Sequence, residues 1–270
     1  MCIVPTTHMD NLTNRETGRH LKTTQRTCDI LSALEELGTA GVTELAEYLN
    51  LSKGSVHGHV TTLYRNEYVA REGDKYRLSL RFVSFGEAVK KSVPIYELAK
   101  EETDKLANET GETVNYVAEE HGLGVYLYKS LGSNGVNTAA DVGNRKHLHC
   151  TAVGKAILAY LPEEQVEQII NHRGLPSKTS NTITNRSDLH DELNQIRKDG
   201  VAFDQEEIVR GLRCVAAPIL GQNDEMYGSI SVAGPTIRMK GTRFNEEIPE
   251  KVLNTTNVIQ IVSKRINDAS

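Results

Sequence analysis

The chain has no tryptophan, only four phenylalanines and no surplus of positive charge: 31 Lys and Arg stand against 36 Asp and Glu, a formal net charge of -5. Composition therefore carries no global sign of a nucleic-acid binder, and any surface for DNA has to be local. No run of 18 apolar residues exists, and Met1 to Val4 is too short to be the apolar core of a leader. These absences predict a soluble, cytoplasmic protein with no membrane partner. The four cysteines (Cys2, Cys28, Cys150, Cys214) are scattered without CxxC spacing. That excludes a disulfide framework and a zinc knuckle, predicts a reducing compartment, and leaves no metal or resident cofactor in the reading. No internal repeat is visible.

What is present is a change of pattern along the chain. Residues 1–21 are polar and aperiodic, and read as a flexible arm. From Thr23, Ile30, Leu31, Leu34 and Leu37 recur at helical spacing, with Gly38 placed to end the helix. A short second helix, Thr43 to Leu49, buries Leu45, Ala46 and Leu49 and takes Thr43 as its cap. After a turn at Asn50-Leu51, Ser52 caps a third helix running to about Asn66, with Val56, Val60 and Leu63 inward. Tyr68 to Leu80 then reads as a hairpin around Glu72-Gly73-Asp74. Residues 22–80 thus have the order of a winged helix-turn-helix. A connecting helix over 81–94 follows, ending at Pro94. Residues 95–270 alternate between helices and strands as an α+β domain, an antiparallel sheet flanked by helices. In it a helix from Ile95 ends at Gly111, and strands are expected at Thr113–Ala118, Val125–Lys129, near Val136 and Thr138, at Cys214–Leu220 and at Tyr227–Ala233. Further helices begin at Thr151, at Pro162 as an N1 proline, and at Ser187 as a cap. A last helix carries Ile248 to Ile266.

The third helix carries the chemistry. With Val56 as origin and 3.6 residues per turn, Val60 and Leu63 fall beside it, while Gly54, Gly58, Thr61 and Arg65 fall opposite. Gly54 and Gly58 each cost about 1 kcal/mol relative to Ala, a penalty easier to rationalise where the backbone must approach a partner closely. Ser52, Lys53, Ser55, His57, Thr61 and Thr62 supply donors suited to phosphates and base edges, and Arg71, Lys75 and Arg77 add basic groups on the hairpin. Glu72 and Asp74 offset the latter, so the net basicity is slight. Double-stranded operator DNA is the expected partner. The competing reading is a small-molecule sensor or enzyme whose helical module docks protein.

Over everything from residue 23 onward the sequence resembles the IclR family of transcription regulators. The resemblance is carried by Val42-Thr43-Glu44-Leu45-Ala46 with Leu51-Ser52-Lys53-Gly54-Ser55-Val56, and by Leu148-His149-Cys150-Thr151-Ala152-Val153-Gly154-Lys155-Ala156. Gly200, Asp204, Glu207, Cys214-Val215-Ala216-Ala217-Pro218-Ile219 and Ser229-Ile230-Ser231-Val232-Ala233-Gly234-Pro235 continue it. The third helix, with Gly54-Ser55-Val56-His57, is similar to that of archaeal members. The resemblance implies a GAF-like effector domain, assembly as a homodimer or homotetramer on operator DNA, and regulation of catabolic or metabolic genes rather than catalysis. It also implies a small-molecule effector contacted at Ala152, Val153, Asp204, Cys214 and Ser231. Amides at a helix start suit a carboxylate, which points to an organic acid. The chain departs from its relatives at Gly58, where Arg is frequent, at Ala233, where a hydroxyl is frequent, and at Leu220-Gly221.

Other constellations are weaker. Cys150 beside His149, with Asp141, suggests a thiol nucleophile, and His147 with His149 suggests a metal pair, but neither has a third group at motif spacing. Asp204, Glu206 and Glu207 read as an acid/base or metal cluster or, more simply, as a solvated turn from which Asp204 alone stands apart.

Overall fold

The structure, a computed structural model, describes residues 21–137 and 140–268, with nothing stated of side chains at Asn223 and residues 265–268. The proposed arm therefore lies outside the described residues, apart from the exposed Leu21. Two compact units divide between Val93 and Pro94.

In the first unit, α1 (Lys22–Leu37) buries Ile30, Ala33 and Leu34, and Gly38 closes it at φ 72° with its amide on the Leu34 carbonyl. Leu37, expected on the inner stripe, is exposed as the last residue of the helix. The second helix, α2, runs Val42–Tyr48. Thr43 is not its cap: the Glu44 carboxylate folds back to accept from the Gly41 amide at 2.7 Å, which satisfies the helix start from within. Helix α3 (Lys53–Arg65) begins as expected, its Ser52 hydroxyl accepting from the Ser55 amide at 3.2 Å. Val56, Val60 and Leu63 pack with Ile30, Leu34 and Leu45 into one core. The hairpin of β2 (Val69–Glu72) and β3 (Lys75–Leu78) turns at Gly73, whose φ of 64° favours glycine. A further strand, β1 (Thr39–Gly41), pairs with β3 and completes a three-stranded sheet. Helix α4 (Arg81–Ser92) starts against this sheet, with the Arg81 guanidinium over the Tyr68 ring at 4.7 Å, and buries none of its residues.

The second unit is a six-stranded antiparallel sheet in the order β6-β5-β4-β9-β8-β7. Its strands are β4 (Thr113–Glu120), β5 (Leu123–Leu131), β6 (Arg145–His147), β7 (Ala202–Gln205), β8 (Leu212–Leu220) and β9 (Met226–Pro235). The stretch expected near Val136 is not a strand. Thr138 lies outside the described residues, and the edge pairing with β5 is made instead by Arg145–His147. Along each central strand the side chains alternate, so the sheet has two faces. Val114, Val215, Ile230 and Val232 point to one, where α5 (Tyr96–Thr110) and α9 (Ile248–Asp268) pack. Residues one step along point to the other, covered by α6 (Ala152–Tyr160), which in turn packs with α7 (Glu163–Arg173) and α8 (Arg186–Asp199).

The ends of these helices correct two expectations. Pro162 occupies the cap position of α7 rather than its first turn. Helix α8 is capped by Asn185, whose Oδ1 accepts from the Asp188 amide at 2.9 Å, and not by Ser187. Gly111 and Gly200 close α5 and α8 in the left-handed conformation, as their positions predict.

Candidate functional site

Two places concentrate functional chemistry, one in each unit. In the first, the outer side of α3 is open to solvent. Gly54, His57, Gly58, Thr62 and Arg65 are exposed, as are Ser52 and Lys53 at the helix start, while Ser55 and Thr61 are half-buried. A Cβ added at Gly54 or Gly58 would meet no protein atom within 4 Å. The fold itself therefore does not require glycine at either position, and the two leave a shallow strip of bare backbone one turn apart.

The donors around that strip are not equally free. The Thr62 hydroxyl donates to the Gly58 carbonyl at 2.9 Å, and His59 is tied through Nδ1 to the Thr27 hydroxyl at 2.9 Å. On the hairpin, Arg71 donates to the Gly73 carbonyl at 2.7 Å, Lys75 pairs with Glu44 at 3.0 Å and Arg77 with Glu72 at 2.5 Å. These wing pairs are solvent-exposed and so are weak enough to exchange for phosphates. Arg65, exposed at the far end of α3 on the same outer face, is a further donor there.

In the second unit, a cleft lies between the sheet and the start of α6. It brings together Ala152, Val153, Asp204, Cys214 and Ser231. The register explains why: Asp204 pairs with Cys214, Cys214 with Ala233, and Asn115 with Ser231, so these side chains occupy adjacent rows on one face. Thr151 caps α6 by accepting the Gly154 amide at 3.0 Å, and the amides of Ala152 and Val153 remain without an intrahelical acceptor at the wall of the cleft. A Cβ at Gly154 would overlap the Leu148 carbonyl, so only glycine lets α6 start this close to the single-turn helix Leu148–Cys150 beneath it.

Sequence reasoning missed Asn115, Tyr126, Lys146 and the apolar Ile208, Val209 and Leu212 among the lining residues. Asn115 had a signal: it is a polar side chain inside an otherwise apolar strand segment, Val114 to Val117. Its Oδ1 and the Oδ2 of Asp204 are buried acceptors without a hydrogen-bond partner, an arrangement that costs free energy unless something supplies a donor.

Asp204 is 1% exposed. Burial pushes its carboxyl up to about 7, against the opposing effect of the Glu207 amide that donates to Oδ1 at 2.7 Å. The reading of this stretch as a solvated turn is wrong for Glu207, which is buried and accepts from Lys155 Nζ at 2.7 Å. Lys155 also reaches Glu192 of α8 at 2.7 Å, and thus joins α6, α8 and the segment after β7. Glu206 alone stays at the surface side, accepting from the Gly211 amide at 2.8 Å.

The rival constellations fare differently. Burial pushes the Cys150 thiol up to about 12, and its Sγ faces the His147 carbonyl at 3.5 Å. Asp141 is exposed and pairs with Lys129 at 3.1 Å, so it orients nothing near that thiol. His149 is depressed to about 4 by burial and donates Nε2–H to the Pro176 carbonyl at 3.2 Å. Among the described residues, no three His, Cys, Asp or Glu side chains converge as metal ligands would. Nor is any described helix long and apolar enough to cross a membrane.

Comparison with known proteins adds a separate line. The family model described as "Bacterial transcriptional regulator IclR C-terminal" matches residues 87–261, and "IclR helix-turn-helix domain" matches residues 23–73. The chain is 32% identical over 247 residues to a probable HTH-type transcriptional regulator ArcR of Halobacterium salinarum, covering 90% of this chain and 94% of that protein. Its structure is similar to that of the Thermotoga maritima IclR, with a TM-score of 0.75, 28% identity, and coverage of 91% of this chain and 100% of that one. It also shares its fold with an IclR homologue from Microbacterium hydrocarbonoxydans solved with 4-hydroxybenzoate, with a TM-score of 0.74, 17% identity, and coverage of 88% and 98%.

Proposed function

The chain belongs to the IclR family of transcription regulators, and on that premise we propose that it is a ligand-responsive DNA-binding regulator that reads operator DNA with α3 and the β2–β3 wing. The observation that carries the reading is the solvent-exposed outer side of α3, with its bare strip at Gly54 and Gly58. In the major groove that strip lets the helix backbone lie close to base edges, with Ser55, His57 and Thr61 alongside as donors. Ser52, Lys53, Thr62, Arg71, Lys75 and Arg77 hold the flanking phosphates. The division of labour follows residues 22–80 for DNA, 81–94 as a connecting helix and 95–270 for the effector.

The effector site is the cleft at the start of α6. Unpaired amides at Ala152 and Val153 favour a carboxylate there, while Asp204, Cys214 and Ser231 face the remainder of the molecule, so a small organic acid is the effector class. Catalysis is not part of this reading, because burial holds both the Cys214 thiol of the cleft wall and the Cys150 thiol beneath α6 protonated. Self-association as a homodimer or homotetramer is assigned to α4, whose Val83 and Val89 present apolar surface to solvent beside a partly exposed Phe85 that stacks on Tyr68. A second copy of the same helix is the fitting occupant, since two α3 helices on a symmetric operator require a two-fold assembly. On this reading the protein acts in the cytoplasm, with the DNA it binds.

The test is retardation of DNA taken from upstream of the protein's own coding sequence, over a range of salt. Binding should weaken steeply with salt and should change when an effector acid is added. Salt-insensitive binding, or none to any upstream fragment, would remove the DNA reading. Loss of dimer in the ultracentrifuge on Val89→Asp would support the role of α4, and an unchanged dimer would refute it.

A further inference from the structure

The charge arrangement behind the effector cleft demands more than a place for an anion. Lys155 is 1% exposed and is shared by Glu207 and Glu192, both at 2.7 Å. With both carboxylates ionised that triad carries one negative charge in excess, partly screened at the half-exposed Glu192, and burial pushes the Glu207 carboxyl up against the pull of Lys155. An ionised Asp204, whose Oδ1 takes the Glu207 amide, would raise the excess to two in a site nearly closed to water, and an incoming carboxylate would raise it to three. The other groups facing Asp204 offer little relief. Cys214 on β8 and Tyr126 on β5 are pushed upward by burial and stay neutral, and so does Cys150 beneath α6. Among the described residues Lys146 on β6 is the one further cation lining the cleft, and it is half-buried. Oδ2 of Asp204 and Oε2 of Glu207 are both buried without a partner, and of the two it is Asp204 that lines the cleft, so its carboxylate is the acceptor that could become a donor to a bound molecule by taking a proton.

We propose that the cleft admits its organic acid together with one proton taken from solvent and lodged on Oδ2 of Asp204, so that the regulator reads the acid and the pH jointly. The proposal rests on the effector-site reading above. The balance is simple: the effector enters as the anion, a hydronium or buffer acid gives its proton to the Asp204 carboxylate, and the new O–H donates to the bound acid. Oδ1 keeps the Glu207 amide throughout, so no rearrangement of β7 is needed. Above the pH at which free Asp204 titrates, every binding event must carry a proton. Below it the proton is already in place.

The experiment uses the full chain. Sodium 4-hydroxybenzoate, benzoate, lactate and gluconate are screened by thermal shift at pH 6 and pH 8, and any acid that stabilises the chain is taken to calorimetry. For an Asp204 that titrates at about 7 when free, the dissociation constant should be about tenfold larger at pH 8 than at pH 6. At pH 8 the heats in phosphate and in Tris should differ by close to the difference between the two buffers' ionisation heats, as uptake of about one proton requires. In Asp204→Asn the dependence on pH should vanish while binding persists, because the amide keeps an oxygen for Glu207 and offers an N–H in place of the acid proton. Equal affinity at both pH values with buffer-independent heats would overturn the proton linkage and leave the effector site standing. Binding of none of the acids at either pH would remove the organic-acid reading itself. If the Asp204→Asn protein does not fold, the comparison of buffers in the unaltered chain still decides the matter.

Discussion

Replacing Gly54 and Gly58 by alanine separates the stability of α3 from its use. Neither glycine has a positive φ, and a Cβ at either meets open space, so nothing in the fold opposes the change. Each alanine removes the backbone entropy penalty of a helical glycine, about 1 kcal/mol. For a unit of this size that corresponds to a rise of roughly 4–8 °C in the unfolding midpoint per substitution, measured by circular dichroism. On DNA the sign reverses. A methyl group on the strip nearest the bases holds the helix back from the groove, and a loss of about 1.4 kcal/mol corresponds to tenfold weaker binding. The assay is fluorescence anisotropy on an upstream fragment at fixed salt, beside melts of the same preparations. Alanine variants that are more stable and yet bind DNA as tightly as the parent would refute the close-approach argument. Variants that gain no stability would show that the exposed helix face is not what its surroundings indicate.

Other expectations follow from the same geometry. Lys53→Ala should weaken DNA binding about uniformly across sequences and reduce the slope of log affinity against log salt by about 1, a change that a base-reading residue would not produce. Gly154→Ala should destabilise the second unit by roughly 1–3 kcal/mol in urea unfolding, because the added methyl overlaps the Leu148 carbonyl and α6 cannot shift without opening the cleft. Glu112→Gln should cost about 2 kcal/mol by the same measurement. Its buried carboxylate takes Arg238 at 2.8 and 2.7 Å and Arg243 at 3.2 Å, although partial exposure of both arginines moderates the loss. The Asp204 carboxyl binds its proton more tightly folded than unfolded, so between the ordinary aspartate range and about pH 7 the folded chain holds the extra proton and stability falls as pH rises. Melting curves of the parent should therefore lose stability relative to Asp204→Asn across that window, and parallel curves would contradict the burial argument.

Local chemistry made much of the first unit legible in advance. Ser52 before an apolar stripe at i, i+4 and i+7, Gly38 after one, and a glycine between two short β-prone runs each depend only on neighbours in the chain. Where two local solutions compete, sequence does not choose between them. Asn185 and Ser187 both cap helices well, and the structure uses the first, whose Oδ1 accepts from the Asp188 amide. Thr43 likewise lost its expected role to Glu44. Short strands were missed altogether: β1, β6 and β7 are three or four residues long, too few to show alternation, and exist because a neighbouring strand offers an unpaired edge.

The sequence by itself determined the order of the elements, the polar outer face of α3 and the types of side chain from which an effector site could be built, because periodicity and capping are properties of a few consecutive residues. Only the tertiary structure decided that Asn115 lies beside Ser231, that Asp204 lies beside Cys214 with one oxygen unpaired, and that Lys155 is held between Glu192 and Glu207. Those pairings join positions far apart in the chain. The burial that alters their chemistry arises only when sheet and helices close over them, and no local pattern records it.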